Sequence, residues 1–248
     1  MTKYFATVCL PPTAARKVPQ AVAAVMAPYD INLTEDWNPV GQWDRWAIHA
    51  SAGNAYLVLP PHDGDRRLVT ASTVPRRKAE LDVLGPLECY GGPRGLLDFD
   101  GMRSRAARRH DARLAAWNEL TAAHPAASPL ADFVARHEAD PAGYSLADAK
   151  KEHLIQPLVQ DVAQRAVAGD PHLDMSFLLN DPVAYFGQEP EETRLSSVQC
   201  AVPGFALITL DGSWTDADAD ADGYWGRANR YLNNLDAEAV VLDLLCHC

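Results

Sequence analysis

The sequence predicts an α+β fold: a small mixed sheet built from an N-terminal βα unit and a C-terminal βαβ unit in a ferredoxin-like arrangement, with a helical region inserted between them. Three observations predict it. A run of β-formers at the start is followed at once by a helix-period segment; a strand–helix–strand pattern closes the chain; and the stretch between is rich in Ala and Arg at helical spacing. The organisation this implies is 1–99 for the N-terminal α/β part, 100–170 for the helical insertion and 171–248 for the part that completes the sheet.

Tyr4-Phe5-Ala6-Thr7-Val8-Cys9-Leu10 is a first strand, stopped by Pro11-Pro12. Thr13 is placed to cap a helix from about Ala14 to Ala27, with Val18, Ala21, Val22, Val25 and Met26 on one face and Pro28 at its end. The segment 36–46 packs Trp37, Trp43 and Trp46 around an Asn38-Pro39 and Gly41 turn. Strands are expected at 46–49, 55–59 and 67–70, and the glycine- and proline-rich stretch 85–95 reads as a loop or tight crossing. Helices follow at Met102 to about His124, capped by Asp100, then near 128–138 and 145–168, the last split at Pro157. After a mixed region broken by Pro171, Pro182 and Pro190, a strand at 205–210, a helix from Tyr224 to about Leu235 and a strand at 239–245 complete the chain; the last is apolar enough to be central.

Composition sets the class. With 248 residues, 48% apolar and 22% charged, the chain is an ordinary globular sequence with ample length for a core. Five cysteines (Cys9, Cys89, Cys200, Cys246 and Cys248), odd in number and widely spaced, imply no disulfide framework. The short apolar run before Pro11 lacks the length and cleavage site of a secretory signal, and no stretch approaches the roughly 18 residues of a membrane span. A cytoplasmic protein without a membrane partner is the expectation. The net charge of −11 argues against a duplex nucleic-acid coat. That charge is uneven: residues 1–44 hold 3 basic and 4 acidic side chains, 45–113 hold 12 and 8, and 114–248 hold 7 and 21. A basic middle within an acidic protein steers anionic partners, or pairs with its own acidic half.

Several short motifs resemble those of an uncharacterised protein family of actinobacteria, their plasmids and their phages. They are Ala27-Pro28-Tyr29-Asp30, Asn38-Pro39-Val40-Gly41-Gln42-Trp43-Asp44-Arg45-Trp46, Leu97-Asp98-Phe99-Asp100-Gly101-Met102-Arg103, Asp211-Gly212-Ser213-Trp214 and the closing Leu245-Cys246-His247. The tryptophan motif is the most specific. The chain departs from the family where a Gly-Gly-Arg-Trp run usually follows, reading His49-Ala50-Ser51-Ala52 instead. The resemblance implies a source but no mechanism.

The candidate sites follow from side-chain chemistry. Trp43 and Trp46 flank Asp44 and Arg45; the rings either stack a base or sugar with Arg45 on a phosphate, or fill the core beside a small sheet. Arg105, Arg108 and Arg109 share a helix face, with Arg103 and Arg113 nearby, and either bind an anion or pair with the acidic C-terminal half. Asp218-x-Asp220-x-Asp222-Gly223 matches the first half of a calcium loop, but its twelfth position is Asn229 and a strand precedes it, so weak divalent-ion binding by an acidic turn is the most it implies. Cys246-His247-Cys248 alternates faces in a strand and does not form a metal site. Asp98 and Asp100 either share a cleft or start a helix. No other cofactor is implied.

The favoured reading is a non-catalytic binding protein for an anionic small molecule or acidic protein partner, through Trp43, Arg45, Trp46, Arg105, Arg108 and Arg109. One alternative is a metal-assisted hydrolase or nucleotide-processing enzyme with Asp44, His49, Asp98 and His110 as its polar centre. Another is an assembly component whose acidic half docks on the basic middle of a neighbour.

Overall fold

A computed structural model of the chain describes residues 3–33, 38–50, 55–74, 79–81, 84–173, 181–219 and 223–248. Trp37, Ser51, Ala52, Asp220 and Asp222 lie outside the described residues. The chain forms two compact units, one made of 1–103 with 199–248 and the other of 104–198. The helical unit thus runs to Val198 rather than closing at 170, because the prolines at 182 and 190 start two more helices instead of ending the insertion.

The first unit is α+β. Its strands are β1 (Lys3–Leu10), β2 (Arg45–Ala50), β3 (Tyr56–Leu57), β4 (Ala79–Leu81), β5 (Glu88–Cys89), β6 (Gly91–Pro93), β7 (Ala206–Ile208), β8 (Trp214–Asp216) and β9 (Val240–His247). The main sheet runs in the order β4-β2-β9-β1-β7-β8, and β3 pairs with β5 apart from it. The final strand is central, as its apolar run predicts. β1 pairs antiparallel along the whole of one edge, from Lys3↔His247 to Leu10↔Val240. The other edge is shared: β2 takes residues 244–247 and β6 takes 240–242.

That second pairing decides the reading of 85–95 in favour of a tight crossing over a loop. Gly91 has φ of +149°, and a Cβ there would lie 2.3 Å from the Val241 carbonyl oxygen. The glycines let this backbone press against the central strand, so they mark a close approach rather than a turn. Residues 67–70, expected to be a strand, contribute only a bridge between Val69 and Gly91.

Helix α1 (Val18–Met26) covers one face of the sheet through Val18, Val22 and Met26. It begins later than expected because Pro19 sits in its first turn; Thr13 donates to the Pro11 carbonyl and caps nothing. The opposite face packs against Phe99 and Met102, at the start of α2 (Phe99–Ala123), and against Tyr224, Ala228 and Leu232 of α8 (Tyr224–Asn233).

The second unit holds the rest of α2, then α3 (Leu130–Ala139), α4 (Leu146–Leu154), α5 (Pro157–Val167), α6 (Pro182–Phe186) and α7 (Pro190–Gln199). Pro157 splits the predicted 145–168 helix and becomes the first residue of α5, where its missing N–H costs nothing. Ser145 and Asp148 form a capping box that starts α4. Trp117, Leu120, Leu158, Val162 and Leu173 make this unit's core. No helix among the described residues is long and apolar enough to cross a membrane.

Candidate functional site

Period-two alternation sorts residues 45–49 of β2 into two sets. Trp46 and Ile48 point into the core beneath α1, with Ala6, Val8, Leu244 and Cys246 from the neighbouring strands. Arg45, Ala47 and His49 therefore lie on the other face, beside the odd-numbered residues of β1 and β9. The pairing registers arrange that face in rows. Lys3, His247 and Arg45 form the first, and Phe5, Leu245 and Ala47 the second. Thr7 and Asp243 form the third, which His49 joins one residue past the last β2–β9 pair, Ile48↔Leu244.

The first rows are accessible at their flanks, while His247 and Leu245 at their centre are buried. Lys3 and Arg45 are exposed, and Phe5, Ala47, His49 and Asp243 all keep accessible surface. Beyond them the face closes under Tyr56 and Tyr224, both 1% exposed. The Arg45 guanidinium lies 3.4 Å from both ring nitrogens of His247, which is nearly buried. The His49 ring meets the Phe5 ring at 5.4 Å between centroids.

Asp243 is the chemical centre of this face. Thr7 Oγ1 donates to its Oδ1 at 2.6 Å and Tyr56 Oη donates to the same oxygen at 2.9 Å. Thr7 Oγ1 in turn accepts from the Gly204 amide at 2.7 Å, which orients the hydroxyl toward the carboxylate. The residue keeps some accessible surface, while its carboxyl is closely surrounded by protein. That burial pushes its pKa up to about 7, against the two hydroxyls, which pull it down. Burial and the Asp243 charge likewise push the Tyr56 phenol up, and burial holds the adjacent Cys9 as a neutral thiol. With both donors on Oδ1, a titrating proton belongs on Oδ2.

The other sequence-derived candidates fall in different places. Trp43 and Trp46 are core residues, 9% and 7% exposed, packed edge to face at 6.5 Å. Trp43 Nε1 donates to the Met26 carbonyl at 3.1 Å. Neither ring offers a face for stacking, which corrects their assignment as ligand-binding residues. The rest of the motif is structural as well. Asn38 bridges the Pro28 and Asp30 carbonyls, and a Cβ on Gly41 would lie 2.8 Å from the Ile31 Cα. Asp44 is exposed, and its amide donates to the His247 carbonyl. Asp98 is the cap of α2, accepting from the Gly101 amide at 2.8 Å; Asp100 sits within the first turn and pairs with Arg103. The cap assigned to Asp100 thus belongs two residues earlier.

Within the helical unit, His110 is buried and its Nε2 lies 2.9 Å from Thr193 Oγ1. The Thr193 hydroxyl spends its hydrogen on the Pro190 carbonyl, so Nε2 carries the proton and donates. His110 is a satisfied core histidine in a different unit from Asp44, His49 and Asp98. Arg108 is exposed, and Arg105 and Arg109 are half-buried. Asp216 is committed to the Trp214 indole and the Ala219 amide, and Asp218 is exposed. Among the described residues no three His, Cys, Asp or Glu side chains are placed to hold a metal ion.

Of the sequence-derived candidates, then, Arg45 and His49 share a face, and Thr7, Tyr56 and Asp243 join them unforeseen. The signal for Asp243 is visible in hindsight: it is the one charged residue in Val240-Val241-Leu242-Asp243-Leu244-Leu245. No family model, curated protein or solved structure matches the chain.

Proposed function

We propose that the chain binds a small anionic organic molecule on the open part of this sheet face. One observation carries the reading: the row order of the face, with Lys3 and Arg45 at its rim, the apolar step of Phe5, Leu245 and Ala47 behind them, and Thr7, Asp243 and His49 at its inner end. At the strand rise of about 3.4 Å per residue, the rim lies about 13 Å from Asp243. A ligand of that length would set a carboxylate or phosphate on Arg45, lay its body on the apolar step and offer a hydroxyl or amine to Asp243 Oδ2. A source in an actinobacterium or its mobile elements belongs to the proposal through the resemblance alone.

Calorimetric titration with nucleoside monophosphates, sugar phosphates and N-acyl amino acids tests it. The expected result is binding to one class, weakened about tenfold or more (about 1.4 kcal/mol) by Arg45→Glu. Binding to none of them, or binding indifferent to Arg45→Glu, counts against it.

A second reading, an enzyme that exchanges a proton with the bound molecule, draws on Asp243 alone. A carboxyl that titrates near pH 7 and sits beside the position of His49 suits general acid–base work at neutral pH. Ester or phosphoester turnover lost in Asp243→Asn, with binding retained, would favour this reading over simple binding.

A further inference from the structure

The basic residues near position 66 form a second feature on the same unit. His62-Asp63-Gly64-Asp65-Arg66-Arg67 is a tight turn in which Asp65 is the organising residue. Its carboxylate accepts from the Arg67 amide at 2.9 Å and pairs with the Arg67 guanidinium at 2.9 Å, while Arg67 also reaches Glu238 at 3.1 Å. Arg67 is thereby a brace, its charge answered by two carboxylates. The brace fixes the turn that presents Arg66.

Across from this turn runs the segment leading into α1. Ala14, Ala15 and Arg16 line a groove of about 830 Å³ together with Gly64, Asp65, Arg66, Arg67 and Thr73. Arg16 and Arg66 are exposed, and neither makes an ion pair among the described residues. The other charges lining the groove, Asp65 and Arg67, answer one another. Gly64, at φ of +71°, has open space where a side chain would stand, so no side chain at that position fills the groove.

Two guanidinium groups lining one groove suit a ligand with more than one anionic centre. Each guanidinium matches the oxygens of a phosphate bidentately. A single phosphate offers one anionic centre; a chain of two or three phosphates offers one to each arginine. The volume lies within the range of small-molecule sites. We propose that this groove binds an oligophosphate, as inorganic pyrophosphate or as the phosphate chain of a nucleoside di- or triphosphate, at a site separate from the Asp243 face.

Calorimetry on the full chain in 0.15 M NaCl, with pyrophosphate, ATP and adenosine as titrants, tests this. The expected result is binding of pyrophosphate or ATP and none of adenosine. Binding of both identifies the phosphate chain as what is recognised, and binding of ATP alone identifies the nucleotide as the source; either supports the proposal provided the variants respond. Arg16→Glu and Arg66→Glu should each weaken binding at least tenfold, and the double variant should abolish it. Both side chains are exposed, so far-ultraviolet circular dichroism and melting temperature should be unchanged in these variants. Arg45→Glu should leave the dissociation constant within twofold, which separates this site from the one on the sheet face. No binding of either phosphate compound, wild-type affinity in both single variants, or loss on Arg45→Glu would each overturn it.

Discussion

Asp243 shows how far one residue's environment can diverge from its ordinary chemistry. Its pKa rises from 3.8 to about 7 because burial penalises the charged form more than Thr7 and Tyr56 favour it. A raised carboxyl pKa means that the folded state holds its proton more tightly than the unfolded chain does. The stability it contributes is full below about pH 4 and is lost as pH rises through 7, a swing of roughly 4 kcal/mol at about 1.4 kcal/mol per unit. Asp243→Asn should therefore be more stable than the parent protein at pH 8.5, with the gap narrowing to less than half by pH 5. Urea unfolding at the two pH values measures this, and a pH-independent gap would refute it. A single charge in an apolar strand can be seen in the sequence, but its partners cannot. Thr7 and Tyr56 stand 236 and 187 positions away, and only the pairing of β1 with β9 and the packing of β3 bring their hydroxyls to one oxygen. Trp43 and Trp46 were legible only as alternatives, core or ligand. Alternation along β2 decided for Trp46, by sending Arg45 and His49 the other way; Trp43, outside the strand, is held in the core by its indole bond to the Met26 carbonyl.

At the level of elements, the helices were more legible than the strands. Helices of nine or more residues carry several turns of periodic signal, whereas β3, β5 and β6 have two or three residues each and owe their existence to neighbours. The start of α2 is a case where local chemistry settled the boundary. Asp98 satisfies the Gly101 amide, which no helix carbonyl can reach. Asp98→Ala should lower stability by about 0.5–2 kcal/mol. Asp100→Ala, which removes only a surface pair with Arg103, should cost under about 1 kcal/mol. Thermal melts of the two variants compare these directly, and equal losses would show that Asp98 is not the cap.

On the scale of the whole molecule, the charge asymmetry proved informative in a way its total concealed. Part of the basic middle is neutralised by the acidic end, as Arg67 meets Glu238, and part is not, as Arg66 shows. Composition alone does not separate the two, because the separation depends on which turn each side chain occupies. Sheet order is likewise beyond local pattern, although the apolar 239–245 run did announce a central strand. Native-state hydrogen exchange should report that order. The amides of β1 and β9, flanked on both sides, should exchange most slowly, and those of the outermost strands β4 and β8 sooner. Faster exchange in β9 than in β8 would contradict the topology. The central position of β9 also bears on the order of synthesis. β1 leaves the ribosome early, yet the partner that lines its whole edge follows more than two hundred residues later. Until then β1 has α1 and, later, the short β7 beside it, and β2 has only the three-residue β4 to join. The sheet cannot assemble progressively from its first strand; it must close in one late step, when the middle of the structure is the last part to arrive.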